Sequence, residues 1–592
     1  MCGISFFITS GSNSYEDCDL YSKYKTELEE ALRRRGPDGY SCMVVRIRDD
    51  CTARVDCSVL WTQGCRPTEQ PLLDASGGVL LWNGDIFAGE LARGDGRSDT
   101  EVLSAELSSG SFLEVMPAVR GPYSVAYWDP RAGRLWFGRD RLGRHSLLLL
   151  LRGEGAHQVL GVTSVACRGL QGVVEVPAVG LFCAELSGGG LDRLCLYPWS
   201  DVTEDELVSF REEFAVGCAV SRDRLPSPVG PAAASEPAEG ELLAVSLASS
   251  GLAPAEVLGS LLRDGPAAAR AEELAGLLGE AVRARVSLQP GVCRACTGGA
   301  CGHARTAVLF SGGLDSAVLA RLAHDHVPPG DPIDLLNVAF ERPRRPAGPQ
   351  GMRRRRAGEP EAGPAFDVPD RRTGRETLRE LRKNFPQRQW NFVEINVSLS
   401  ELNEQRERRI GHLIHPRVSV LDDSLGCALW FASRGEGLLE QPGGELANYT
   451  SPARVLLLGM GADEQLGGYA RHRTTLRRGG WQGLLAELRL ELARISSRNL
   501  GRDDRVAADH GRQARLPYLD EGVVSFLAGL PPWHRCCPVE MLPSGYGDKT
   551  LLRLTALKLG LSNAAFLPKR AFQFGSRIAN SKEKATDVSH RL

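Results

Sequence analysis

No stretch of this 592-residue chain approaches the ~18 consecutive apolar residues that a membrane span needs. The longest candidate, Leu147 to Leu151, has the size of a strand. Neither charge sign is in surplus: 71 Lys+Arg stand against 73 Asp+Glu, a net charge of -2. That balance excludes a dedicated nucleic-acid or membrane-surface binder, which shows a basic excess. The opening Met-Cys-Gly-Ile-Ser-Phe-Phe-Ile lacks the basic start and small-residue cleavage site of a signal peptide. The 16 cysteines are scattered, and a chain of this length builds a core without disulfide staples. They are expected as free thiols in a reducing compartment. No internal repeat is visible. These absences leave a soluble cytoplasmic protein as the expectation, with small molecules rather than nucleic acid or membrane as partners. What is present is an ordinary globular composition, 42% hydrophobic and 24% charged, which rules out disorder throughout.

Up to about residue 185 the chain consists of short apolar or alternating runs between turn residues, among them Ser41 to Ile47, Val79 to Trp82, Tyr123 to Trp128 and Leu135 to Gly138. Such runs predict a strand-rich sandwich. Residues 186–265 read as a connecting segment, with a Pro/Ala/Ser-rich linker at 222–240. From 266 the period changes. Leu274, Leu277, Leu278, Ala281, Val282 and Val286 form one stripe of an amphipathic helix. Thr306 to Phe310 is a buried-strand run, followed by Ser311-Gly-Gly-Leu-Asp-Ser316 and a helical pattern to His324. Strand–helix alternation over 266–580 predicts an α/β domain with a parallel sheet. Within it, residues 342–365 form a Pro/Gly/Arg insert that cannot bury a core and is expected to be disordered. Its Arg run reads as a solvated loop rather than an RNA contact. The polar last dozen residues are expected to fray.

Two places carry chemistry. Cys2 becomes the first residue once Met1 is removed, which sets its thiol beside its own α-amine. That amine, with a pKa of about 8, is a suitable base for a nucleophile. A buried small residue opening the first strand is the plain alternative. Trp82-Asn83-Gly84-Asp85 follows a strand, and an Asn amide with a Gly N–H is what an oxyanion hole requires, although Asn-Gly is also a common hairpin turn. Gly96-Arg97-Ser98-Asp99 offers a carboxylate for a substrate ammonium. At the second place, small residues from Ser311 to Ser316 let backbone N–H groups meet a phosphate at a helix N-terminus. The Walker A lysine is missing, so γ-phosphoryl transfer is not expected. A second strand ends in Gly459-Met460-Gly461-Ala462-Asp463-Glu464. Both loops then fall at carboxyl ends of strands, where open α/β sheets bind ligands.

In this order the N-terminal pieces resemble the class II glutamine amidotransferases, a family of N-terminal-nucleophile hydrolases with an αββα sandwich. The resemblance implies that Cys2 attacks the glutamine amide, Asn83 and Gly84 stabilise the oxyanion, and Asp85 and Asp99 bind glutamine. The loop at 311 resembles that of the ATP pyrophosphatases. With Arg502-Asp503-Asp504-Arg505, Arg515 to Asp520 and Gly547 to Arg553, the C-terminal half is similar to the synthetase domain of the asparagine synthetases. This implies an ATP site at Leu309, Ser311, Gly312, Gly313, Asp315, Ser316, Val338, Gly459 and Lys549, with Asp315 and Asp463 holding Mg²⁺. The implied reaction takes ATP, aspartate and glutamine to asparagine, glutamate, AMP and pyrophosphate.

Three positions depart from the pattern. The arginine that clamps the glutamine carboxylate has no counterpart at Val59, Leu60 or Trp61, and only Arg66 is nearby. Its loss weakens binding by about 2–3 kcal/mol. Asp85 stands where the family more often has Glu. Met460 replaces the glutamate between two glycines, and a thioether cannot take a proton. A catalytically disabled interaction module, or transfer of ammonia to an acceptor other than aspartate, therefore stays open beside amide synthesis. Finally, Cys293, Cys296, Cys301 and His303 read as unpaired surface cysteines beside a histidine, with a zinc site of three thiolates and an imidazole as the alternative.

Overall fold

The computed structural model describes residues 2–10, 19–48, 51–92, 96–152, 159–187, 190–214, 217–230, 239–240, 253–263, 265–296, 301–341, 365–539, 542 and 546–579. The insert expected at 342–365, apart from Ala365, the core of the linker and the last residues lie outside this description. Among the described residues no helix is long and apolar enough to cross a membrane.

The N-terminal half packs two sheets face to face. The first has the order β10 (Val173–Glu175), β8 (Leu148–Arg152), β9 (Val159–Thr163), β1 (Gly3–Ser10), β3 (Cys51–Val59), β2 (Gly39–Arg48). The second runs β13 (Ala219–Val220), β12 (Gly190–Pro198), β11 (Gly180–Ser187), β7 (Arg134–Arg139), β6 (Tyr123–Asp129), β5 (Val79–Gly84), β4 (Leu72–Leu73). Alternation along β1 explains the layering, because successive side chains point to opposite faces. Ile4, Phe6 and Ile8 face the core shared with the second sheet. Phe7 faces outward and packs with Leu28, Ala31 and Leu32 of the helix Asp19–Arg35. The second sheet carries the helix Asp99–Ser109, started by Ser98, whose side chain accepts from the Glu101 N–H in a capping box.

This sandwich continues past 185, where the sequence suggested a connecting segment. β12 extends the second sheet, β13 pairs with it in parallel, and Trp199, Leu207, Phe210, Phe214 and Leu225 bury into the same core. The connecting stretch was harder to read because its strands are edge additions whose partners lie earlier in the chain.

The C-terminal half is built on one sheet of order β18 (Leu446–Thr450), β17 (Glu436–Glu440), β16 (Trp390–Val397), β15 (Ile333–Phe340), β14 (Thr306–Leu309), β19 (Val455–Leu457), β20 (Gln513–Arg515). From β16 to β20 the strands are parallel, and β17 and β18 close the far edge as an antiparallel hairpin. All eight residues of β15 are buried, as expected when helices cover both faces of a parallel sheet. Leu274, Leu278, Ala281, Val282 and Val286 of the helix Gly265–Ser287 pack on the sheet together with the helix Leu314–His326. β14 and β19 are neighbours, so the loops that leave their carboxyl ends lie side by side.

Candidate active sites

The first centre forms where β1, β3 and β5 start or end. Gly3 follows Cys2 and donates its N–H to Ser58 Oγ at 3.0 Å. A Cβ at Gly3 would lie 2.5 Å from that oxygen, so only glycine lets the strand approach here. Cys2 Sγ accepts from Gln70 Nε2 at 3.4 Å. Gln70 Oε1 in turn accepts the Trp82 N–H at 2.8 Å. Gln70 therefore ties the thiol to the strand that ends in Asn83 and Gly84, a connection not read from the sequence. Burial raises the Cys2 thiol pKa, against the opposing pull of the Leu60 N–H. A base is then needed to take the proton.

Asn83 is fully buried and its Nδ2 donates to Ser124 Oγ at 3.3 Å, while its Oδ1 has no partner. Turning the amide over keeps the contact, with the Ser124 hydroxyl donating, and frees an N–H for an oxyanion. Gly84 is held by space as well: a Cβ there would sit 2.6 Å from the Trp82 ring and 2.8 Å from the Pro122 carbonyl.

Asp85 is engaged across the domain boundary. Expected among the glutamine-binding groups, it is fully buried and its carboxylate is committed elsewhere. Arg515 of β20 donates to Asp85 Oδ1 at 3.0 Å, Gln513 donates to Oδ2, and Gln63 donates to Oδ1 at 2.5 Å. Burial opposes its ionisation, yet the Arg515 guanidinium holds its pKa below the usual carboxylate value. Asp99 stands next to it, accepting the Ile86 N–H at 2.7 Å. Its pKa is pushed up to about 8 by burial and then by the charge of Asp85. A substrate ammonium at Asp99 would restore the charge balance that favours its ionised form. At the positions where the clamp arginine is missing, Leu60 is buried against Ala508 of the other domain, and the Trp61 N–H donates to Asp38 at 2.7 Å. Arg66 is exposed.

The contact between the domains reaches Cys2 itself. Arg35 Nε donates to the Cys2 carbonyl at 3.5 Å while its NH2 pairs with Asp504 at 2.8 Å. Asp504 also meets His145 Nδ1 at 2.8 Å and accepts the Ser146 N–H at 3.1 Å. Burial penalises the Asp504 carboxylate, but Arg35 and His145 hold its pKa well below the usual range. Further pairs join Arg454 to Asp38 at 2.7 Å and Arg144 to Glu521 at 2.6 Å.

The second centre lies at the carboxyl ends of β14 and β19. Gly313 caps the helix Leu314–His326, and its N–H donates to Ser311 Oγ at 3.2 Å. Gly312 has a φ of 78°, and a Cβ on it would lie 2.5 Å from the Gly374 backbone. The loop is thereby pressed onto the helix Pro369–Asn384, whose Thr377 hydroxyl donates to the Gly312 carbonyl at 2.7 Å. Ser316 donates to the Gly313 carbonyl at 3.1 Å. Lys549 Nζ reaches Asp315 at 2.6 and 2.7 Å and Asp463 at 2.6 Å. Lys569 also pairs with Asp463. Burial would lower the Lys549 pKa, but Asp315 and Asp463 drive it upward. Asp463 is held far below the ordinary carboxylate range against its burial by Lys549 and Lys569. A Cβ at Gly459 would stand 3.0 Å from Asp315 Cβ, so this glycine lets the two loops touch. Leu309 ends β14 half-buried. Val338 is 2% exposed, its side chain spent in the core, so only its backbone remains to meet a ligand. Lys569, Arg570 and Asp370 lie in the segments Leu567–Arg570 and Phe366–Asp370, which carry part of the sequence resemblance but point to no site role by themselves. Arg570 reaches Thr373 at 3.4 Å and Asp370 at 4.0 Å, and burial pushes the Asp370 pKa up to about 7.

A strand-end thiol tied through Gln70 to the strand that ends in Asn83–Gly84, followed by a glycine loop at the carboxyl end of a parallel strand, fits an asparagine synthetase-like protein: a glutamine amidotransferase domain followed by a synthetase domain. The family model described as "Glutamine amidotransferase domain" matches residues 60–163, and that described as "Asparagine synthase" matches residues 477–574. The chain is 41% identical to asparagine synthetase domain-containing protein 1 of Gallus gallus over 100% of both chains. It is 40% identical to the protein of that name from Homo sapiens, over 100% of this chain and 98% of the relative. A protein of Drosophila melanogaster, asparagine synthetase domain-containing protein CG17486, is 34% identical over 100% of both. The chain belongs to the family of asparagine synthetase domain-containing proteins.

Proposed function

We propose that this chain is a glutamine-dependent, ATP-consuming amide synthetase, nominally forming asparagine from aspartate, whose activation step outruns its amide-forming step. The arrangement of Lys549 carries this reading. A buried ammonium bracketed by Asp315 and Asp463, beside a glycine loop at a helix N-terminus, is suited to receive a polyphosphate. Lys569 and Arg570 add positive charge on the same side. Asp315 and Asp463 fit as the carboxylates that would hold the Mg²⁺ accompanying ATP, since both already face one cation. That ion would supply neutralisation of phosphate charge.

In the first centre, Cys2 would attack the glutamine amide with its α-amine taking the proton, while Asn83 and the Gly84 N–H steady the developing oxyanion. Hydrolysis gives glutamate and ammonia. In the second, attack of the aspartate β-carboxylate on the α-phosphorus of ATP releases pyrophosphate, and ammonia then displaces AMP to give asparagine. The ammonia adduct must lose a proton, and here the chain is deficient. Met460 is half-buried against the sheet's core. Asp463 is too strongly stabilised by two lysines to be an effective base, and Glu464 is buried, accepting from the Tyr469 hydroxyl at 2.5 Å. Loss of a general base costs about 10²- to 10⁴-fold in rate.

The test is pyrophosphate release from Mg-ATP, with and without aspartate, using ammonium chloride as nitrogen source. Aspartate-dependent release with little asparagine is expected, and Met460→Glu should raise asparagine formed per pyrophosphate. A second reading, an interaction module that keeps both folds, is favoured by Met460 and by the lost clamp arginine. Binding of ATP with no pyrophosphate release under any of these conditions would select it.

A further inference from the structure

At the opposite end of β14 from the loop Ser311–Ser316, four described residues before Thr306 gather their side chains. The Sγ atoms of Cys293, Cys296 and Cys301 and a ring nitrogen of His303 all lie within 4.8 Å of one another. His303 Nδ1 is 3.7 Å from Cys293 Sγ and 3.4 Å from Cys296 Sγ. The sequence favoured unpaired surface thiols, but Cys293 is fully buried and all four groups converge on one point.

Hydrogen bonds link these side chains in pairs, but pairwise bonds do not require all four to meet. One imidazole nitrogen carries either a proton or a lone pair, so it cannot satisfy two thiols together. A metal ion does account for it. With Zn–S near 2.3 Å and Zn–N near 2.0–2.1 Å, tetrahedral geometry places a ligand nitrogen about 3.6 Å from each ligand sulfur. The two observed separations bracket that value. The Cys293 N–H also donates to Cys301 Sγ at 3.2 Å, the kind of backbone contact that orients a metal-bound sulfur.

We propose that Cys293, Cys296, Cys301 and His303 form a closed structural zinc site. Four protein ligands leave no position open for water or substrate, and the site lies at the wrong end of the sheet for the synthetase chemistry. Its role is to fasten the turn between the helix Gly265–Ser287 and β14. That turn is docked through Arg294, whose N–H donates to the Pro452 carbonyl at 3.0 Å and whose side chain donates to the His510 carbonyl. Arg305 secures its exit, pairing with Asp331 at 2.8 Å and donating to the Pro290 carbonyl at 2.9 Å.

The test uses the full chain, purified without chelator and assayed for metal by mass spectrometry. About one zinc per chain is expected. Replacement by Co²⁺ should give the thiolate charge-transfer and intense visible bands of a tetrahedral cobalt centre. Cys296→Ser and His303→Ala alter the partly exposed ligands and should each cost at least ~10-fold in zinc affinity. Cys42→Ser, an exposed cysteine outside the cluster, should leave the zinc content unchanged. Zinc far below stoichiometry together with no tetrahedral cobalt spectrum in the unmodified chain overturns the proposal. So does full zinc retention by both ligand variants. If either variant fails to fold, the metal content and cobalt spectrum of the unmodified chain decide.

Discussion

In the synthetase centre, Asp315 and Asp463 are balanced by Lys549 and Lys569 of the same domain, whereas in the amidotransferase centre Asp85 is balanced by Arg515, which arrives from the other domain. The second centre is electrostatically complete by itself. The first is finished only when β20 of the neighbouring domain is in place. Arg35 repeats the arrangement, with one end on the Cys2 carbonyl and the other on Asp504. The comparison teaches that glutamine hydrolysis should depend on the synthetase domain, while ATP chemistry fed with free ammonia should depend little on the details of the first centre.

The largest expected effect separates the two centres outright. Cys2→Ala should lower glutamine hydrolysis by at least ~10⁴-fold, because it removes the nucleophile. Ammonium-driven pyrophosphate release in the same variant should be unchanged. A parallel loss of both activities would mean that the thiol also supports the interface.

Next in size is the pair between domains. Arg515→Met leaves Asp85 buried without its cation, and breaking such a pair costs about 3–5 kcal/mol. Adding Asp85→Asn should recover part of that loss, since the stranded charge is then gone. Urea midpoints of the two single variants and the double variant measure the coupling, and strict additivity would sink the account.

Asp99 provides a pH signature. Its folded pKa, about 8, lies above its ordinary value of 3.8, so between these values the folded chain holds a proton that the unfolded chain has released. The stability this group contributes is therefore complete below about 4 and is lost as the pH rises through about 8. Asp99→Asn should make the melting temperature less sensitive to pH across that window, read as the difference between the two profiles.

The smallest effect marks the contrast with exposed pairs. Arg283 and Glu280 lie 2.6 Å apart on one helix face with both side chains more than half exposed. Arg283→Ala should change stability by no more than about 0.5 kcal/mol.

These sites were unequally legible. The strands and the helix stripe from Leu274 to Val286 could be read because their spacing repeats within a few residues. The loop Ser311–Ser316 was legible for the same reason, as its small residues sit between a strand and a helix. Gln70, Arg35 and Lys569 were not, because what makes each of them part of a site is a partner far along the chain. Lys549 and Asp315 are 234 residues apart, and Arg515 and Asp85 are 430 apart. The partners of the Asp85 carboxylate were hidden for that reason: its position after Asn83–Gly84 suggested a substrate contact, and only the packed neighbour explains its burial. The cluster at Cys293 shows the same limit at short range, because spacing alone left open whether four ligand atoms point to one place.

The sequence by itself determined the order of the two folds, through local patterns and the family resemblance they carry, and it singled out Cys2 and the glycine loop at Ser311–Ser316 as candidate sites. By resemblance it also marked Met460 as the residue standing where the asparagine synthetases carry a glutamate. Only the tertiary structure decided which buried charges are balanced, and by which domain. The reason is physical: a carboxylate's state depends on how much water it has lost and on which cation stands within a few ångströms, and neither is a property of its neighbours in the chain.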